Sequence, residues 1–110
     1  MNGIETHMII RIWRGWANRA KAGDYPAHFR QTVVPELRAT EGFLGAALVR
    51  RDDAGLIEFV VTTRWVSLDA IRAFAGETLD RAVVEPGAVA ALERFEETVR
   101  HYEVIQAVEC

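Results

Sequence analysis

The chain has 110 residues, 50% hydrophobic and 26% charged, and its 13 basic and 16 acidic side chains leave a formal charge of −3. A length near the commonest domain size, without any Pro-rich, Ser-rich or low-complexity stretch, predicts one domain over residues 1–110 that buries roughly 65% of its unfolded surface. The charges are dispersed with no block of one sign, which excludes nucleic acid and anionic membrane surfaces as expected partners. A single Cys110, no apolar run near the roughly 20 residues of a spanning helix, and no basic-then-hydrophobic leader in residues 1–7 point to a reducing, cytoplasmic setting.

After a loose lead-in over residues 1–6, MIIRIWRGWA from Met8 reads as a strand. Its alternation puts Met8, Ile10, Ile12, Arg14 and Trp16 on one side and Ile9, Arg11, Trp13 and Gly15 on the other, so both sides carry large apolar groups. Asp24 is a candidate N-cap for a helix in which Tyr25, Phe29, Val33 and Leu37 recur every four residues as one buried stripe. Pro35, without an N–H and with a ring that crowds the preceding turn, should kink or divide that helix near Val34. Residues 43–51 (FLGAALVRR) form a second strand in which Gly45, Ala46 and Ala47 allow a close approach by backbone or ligand. Asp52, Asp53, Ala54 and Gly55 then supply a hairpin turn.

The central strand follows from Leu56, with Ile57, Phe59, Val61, Thr63 and Trp65 on one face and Leu56, Glu58, Val60, Thr62 and Arg64 on the other. Ser67 caps a helix carrying Leu68, Ile71, Phe74 and Ala75 on one side, and Gly76 ends it. Pro86 and Gly87 break residues 77–92 into a partly helical excursion, with a short helical piece over 88–93. Residues 98–108 (TVRHYEVIQAV) alternate as a fourth strand. The order β, α, β, β, α, β predicts an α+β fold of the ferredoxin-like kind, a four-stranded antiparallel sheet with helices on one face. The other face still has Ile, Val and Trp to hide, and a second copy of the chain would cover it through a two-fold, self-complementary contact. A homodimer is therefore the expected state.

RIWRGWA near the start, TEGFLGAALVRR, TTRWVSLDAIRAFAG and the closing VRHYEVI together resemble the antibiotic biosynthesis monooxygenase family over nearly the whole chain. The resemblance implies a dimeric α/β barrel with an apolar cleft between sheet and helices, oxygenating small aromatic or phenolic, polyketide-like compounds without flavin or metal. Relatives that cleave haem carry an iron-ligating His where this chain has Ala75, so haem chemistry is not expected. Polyketide-oxidising relatives place an Asn shortly before the Trp, where this chain has Val61, Thr62 and Thr63.

Within that frame Trp65 is the first candidate for the cleft, since a buried indole N–H needs a partner. His101 is the candidate base for a phenolic proton, and its neighbour Tyr102, on the opposite face, is the alternative. Trp13, Tyr25, Phe29, His28 and Arg64 are the candidate substrate contacts, with surface exposure the competing reading for His28. Arg11, Arg14 and Arg64 have two readings: holding an oxyanion or pairing with Glu58 and Glu103. No Cys/His cluster at metal spacing, glycine-rich nucleotide motif or Ser-His-Asp set occurs, so no cofactor or metal is expected. A non-catalytic barrel binding a hydrophobic small molecule is the alternative function.

Overall fold

The structure, a computed structural model, describes residues 8–110; the expected lead-in lies outside them. The three apolar runs become β1 (Ile9–Asn18), β2 (Phe43–Asp53) and β3 (Leu56–Trp65). β3 pairs antiparallel with β1 over ten residues on one side and with β2 on the other. The β2–β3 hairpin turns at Ala54 and Gly55, both at positive φ, as a two-residue connection with matching twist requires. β2 carries a register shift between Phe43 and Gly45. Gly45 lies beneath the Arg64 guanidinium, which a Cβ there would strike. The close approach foreseen for this glycine is thus made by a side chain of the same sheet face.

The first helical stretch runs as α1 (Asp24–His28), a π-helical turn (Phe29–Val33) and α2 (Val34–Arg38). The cap falls one residue earlier than expected, at Gly23, and Asp24 instead occupies the positive first turn. Pro35 widens the helix just ahead of it: the Val34 N–H reaches back to the Phe29 carbonyl. That i→i−5 turn gives the pyrrolidine ring room without ending the helix. α3 (Leu68–Ala75) has the expected boundaries, with the Ser67 hydroxyl accepting from the Ala70 N–H at 3.1 Å and Gly76 closing it at φ 89°.

The C-terminal third departs most from expectation. Pro86 does not break a helix but starts one, α4 (Pro86–Ala91), using its fixed φ at the first helical position. The expected fourth strand over 98–108 shortens to β5 (Arg100–Glu103), and an unexpected two-residue strand, β4 (Arg94–Phe95), precedes it on the same edge of β1. Glu96 still donates its N–H to the Arg14 carbonyl, but residues 97–99 leave the ladder and pair with residues 80–82 around a bridge between Arg81 and Thr98. The sheet therefore has five strands rather than four, in the order β2-β3-β1 with β4 and β5 sharing the far edge. Among the described residues strand pairing ends at the Val104 N–H to Met8 carbonyl bond, and Ile105 and Val108 stand exposed, so the assigned strand does not extend to 108. The antiparallel sheet with helices on one face is the ferredoxin-like α+β arrangement.

Two apolar clusters fill the space between helices and sheet. One gathers Trp13, Ala17, Tyr25, Ile57, Phe59 and Val61 with Ala88, Ala91 and Val99. The other gathers Ile9, Leu37, Trp65 and Ile71 with Phe43 and Phe74.

Candidate active site

A cleft opens where the two clusters meet, with a volume of about 50 Å³. β1 supplies Arg11 and Trp13, β3 supplies Val61 and Thr63, and the helices supply Tyr25, Val33, Leu37 and Phe74; Val83 and Val99 close it. Strand alternation explains the choice from β1 and β3, because the same face of the sheet presents every second residue. The walls are apolar and aromatic, and the polar groups are few.

Two of them, Arg11 and Thr63, belong to one cross-strand row that His101 extends outside the lining. His101 of β5 pairs directly with Arg11 of β1, and Arg11 pairs directly with Thr63 of β3. Arg11 is only 5% exposed. Its Nη1 donates to the Leu79 carbonyl at 2.8 Å and meets His101 Nε2 at 2.9 Å, and its Nη2 donates to the Arg81 carbonyl at 3.0 Å. A guanidinium can only donate, so Nε2 of His101 accepts and the ring proton sits on Nδ1, which faces Asp80 Oδ1 at 3.5 Å. Burial lowers the Arg11 pKa to about 10, with Asp80 opposing the shift, so the group remains cationic at neutral pH. Burial and the Arg11 charge lower the His101 pKa below its ordinary value, so the imidazole is neutral.

Thr63 is the third member of the row. Its Oγ1 accepts from the Trp65 indole N–H at 2.8 Å in a buried bond, which leaves its own O–H to donate. Trp65 is fully buried behind it, edge-on to Phe43 and tilted against Phe74. The Trp13 indole donates to the Glu96 carbonyl at 2.7 Å, which fixes its ring in the wall beside Tyr25 at 5.6 Å between centroids. Burial, reinforced by Glu85, pushes the Tyr25 hydroxyl well above its ordinary range and keeps it protonated.

Of the residues singled out in the sequence, Trp13 and Tyr25 line the cleft. Trp65 reaches it only through the Thr63 hydroxyl, and His101 only through Arg11. His28 is packed rather than exposed: its ring lies against Gly87 of α4, with Nε2 3.9 Å from Glu85. Phe29 stacks behind Tyr25 at 6.4 Å. Two expectations are corrected by the alternation of the strands. Tyr102, 51% exposed and opposite Ile10, and Arg64, lying over Gly45, occupy the helix-free face and do not share the cleft. Arg11 and Thr63 take their place. Arg11 stood among the cations of undecided role; the signal that separates it from Arg14 and Arg64 is its inward register with Trp13, legible only once the inward face is known.

The neutral, depressed His101 carries a pH signature. Its folded pKa lies below the unfolded value near ~6.5, so the unfolded chain binds the proton first as pH falls. The stability contributed by neutral His101 is full above that unfolded value and declines as pH drops toward the lower folded one. Thermal melts of His101→Gln, which keeps an acceptor for Arg11, should lose this part of the pH slope; an unchanged slope between wild type and variant would contradict the buried, neutral assignment.

A ferredoxin-like sheet with an aromatic cleft under its helices, and a row of polar groups beside it, defines an α+β protein of the ferredoxin-like class. The sequence profile described as "antibiotic biosynthesis monooxygenase" matches residues 8–86, and the chain belongs to that family. Among solved structures it is similar to SnoaB, a cofactor-independent oxygenase from Streptomyces nogalater, at 17% identity and TM-score 0.63, covering 93% of this chain and 97% of that one. It is also similar to a dimeric ferredoxin-like protein from an uncultured marine organism, at 16% identity and TM-score 0.64, covering 94% and 100%. The monooxygenase from ActVA-Orf6 of Streptomyces coelicolor, in complex with Nanaomycin D, matches at 14% identity and TM-score 0.55, covering 96% and 91%. No curated protein matches the chain.

Proposed function

We propose that the protein is a cofactor-independent monooxygenase that oxidises a small aromatic or phenolic compound in this cleft, working as a cytoplasmic homodimer. The observation that carries the reading is the cleft itself: aromatic walls from Trp13, Tyr25 and Phe74 around the buried Arg11 and Thr63, with His101 behind Arg11, in a chain of this family. The net reaction converts a ring CH₂ and O₂ into a carbonyl and water. The carbon gives up two hydrogens, one oxygen atom enters the product and the other leaves as water, and the electrons come from the substrate's own ionised ring.

In this reading Arg11 and Thr63 face the ionised oxygen, His101 holds the guanidinium in place, and Trp65 fixes the Thr63 hydroxyl. The cleft's volume of about 50 Å³ holds a few waters, at roughly 10–15 Å³ for each. An aromatic ring needs more room than this, so Val83, a lining side chain 42% exposed, has to give way on entry.

Incubation with an anthrone under O₂, followed by absorbance of the quinone, tests the proposal. Wild type should turn over and do so only with O₂, and His101→Ala should be slower by at least about tenfold. A wild-type rate equal to buffer overturns it. One observation favours a second reading, a barrel that binds a hydrophobic molecule without transforming it: the Nε2 lone pair of His101, the candidate base, is already engaged by Arg11. Tight ligand binding with no turnover under O₂ would establish that reading instead.

A further inference from the structure

We propose that residues 77–85 form a strap latched against the sheet by Arg11 and His101, and that protonation of His101 releases it. Between α3 and α4 the chain makes no helix and only the single bridge at Arg81, and none of residues 77–85 is fully buried. Their attachment is therefore largely polar, and its bonds can be named. The Arg11 guanidinium, buried in β1, clasps the middle of the strap: Nη1 donates to the Leu79 carbonyl at 2.8 Å and Nη2 to the Arg81 carbonyl at 3.0 Å. Those two carbonyls flank Asp80, whose carboxylate faces His101 Nδ1 at 3.5 Å, while His101 Nε2 meets Arg11 Nη1 at 2.9 Å. Next to the clasp, the Ala82 N–H donates to the Glu97 carbonyl at 2.9 Å and the Val99 N–H to the Asp80 carbonyl at 2.8 Å. Val83, two residues beyond Arg81, lines the cleft, so the strap is part of the cleft wall.

The latch depends on a neutral imidazole. Both protons of Nη1 have acceptors only while Nε2 keeps its lone pair; a protonated ring accepts nothing and sets a second cation against the guanidinium. The charged groups acting on the imidazole are Arg11 from β1 and Asp80 from the strap. Burial and the Arg11 charge outweigh Asp80 and hold its pKa below the ordinary value while the strap is closed. Lifting residues 79–82 gives water to a side chain now 12% exposed, which removes the largest of these causes and screens Arg11, so the open form takes up a proton more readily. The open population is therefore at its floor above the ordinary value near ~6.5 and grows as the pH falls through it toward the lower closed value. The far end of the strap behaves oppositely. Glu85 faces His28 and Glu36, and burial and the bond to Glu85 raise the Glu36 pKa, so a proton shared there draws that end inward as the pH falls. Release at His101 is thus read at Ala82 and Val99.

Amide-resolved hydrogen exchange of the full chain, followed by NMR at a series of values from pH 8 to pH 5 and divided by the intrinsic rate at each, supplies the test. The Ala82 and Val99 amides should be less protected than those of the β1–β3 ladder, because they exchange through a local opening. Their protection should fall several-fold from pH 8 to pH 5. In His101→Gln, whose amide oxygen still accepts from Arg11 but takes up no proton, it should stay level. Should that variant not fold, Asp80→Asn serves: its site is 79% exposed at the side chain, and losing the one charge that favours a protonated ring in the closed state should deepen the fall. Strap amides as protected as the ladder, protection independent of pH in wild type, an equal fall in His101→Gln, or a fall no deeper in Asp80→Asn overturns the proposal. No substrate enters the experiment, so the anthrone assay and this one succeed or fail separately.

Discussion

Replacing Trp65 by alanine is expected to lower stability by about 3–5 kcal/mol, the range for emptying a fully buried aromatic site, and to drop the melting temperature by roughly 10–20 °C for a domain of this size. The indole has no exposed surface and ties together Phe43 at the start of β2, Phe74 of α3, and the hydroxyl of Thr63. Its removal therefore opens a cavity at the point where β3 turns into α3, and no neighbouring side chain is free to collapse into it. Trp65→Phe separates the two roles of the ring. It keeps most of the packing and loses one buried hydrogen bond, worth about 1 kcal/mol, while leaving the Thr63 hydroxyl free to rotate. Thermal melts and phenolate titrations of both variants give the comparison: the alanine variant should lose stability, and the phenylalanine variant should lose chiefly ligand affinity. A phenylalanine variant with unchanged affinity would show that Trp65 only fills space.

The contrast between the two ends of the chain shows what a sequence of this kind reveals. β1, β2, β3 and α3 carry their own instructions: alternating apolar residues, a turn at Ala54 and Gly55, a serine cap and a terminal glycine are local and need no partner to be recognised. β4 and β5 carry no such instructions. Arg94–Phe95 is a strand only because Trp16 and Gly15 of β1 lie alongside, with the Arg94 guanidinium stacked on the Trp16 ring at 4.0 Å. The alternation of residues 104–108 is as good as that of many strands, yet among the described residues the β1–β5 ladder ends where Ile9 meets Glu103. The candidate site follows the same rule. Trp13 and Tyr25 were legible as large aromatic groups in periodic elements. The choice of Arg11 over Arg64 depended on which face of a doubly apolar strand turns inward, a question that only the helices answer.

A strand face that is apolar and has no helix over it calls for a partner surface. The helix-free face presents Ile10 and Ile12 of β1 and Val60 of β3, half-buried in the single chain, beside Val49 at 52% exposure and Tyr102 at 51%. Glu58 is buried at one end of this face, held by Arg14 at 3.4 Å and by Arg51. The chain is also drawn out, with a radius of gyration of 14.8 Å against about 13 Å for a compact domain of its length. A second copy laid across this face removes the apolar surface from water and fills out the shape. Ile12→Glu combined with Val60→Glu should then break the pair. Each change is repeated by the two-fold axis and forfeits ~1.5–3 kcal/mol of burial besides the penalty for a buried carboxylate. The dissociation constant should rise by at least about a hundredfold. Sedimentation at micromolar concentration should report twice the 12.4 kDa chain mass for wild type and the single chain mass for the variant. A wild-type chain that sediments as a well-folded monomer would leave Ile12, Val60 and Val49 facing water and overturn the homodimer.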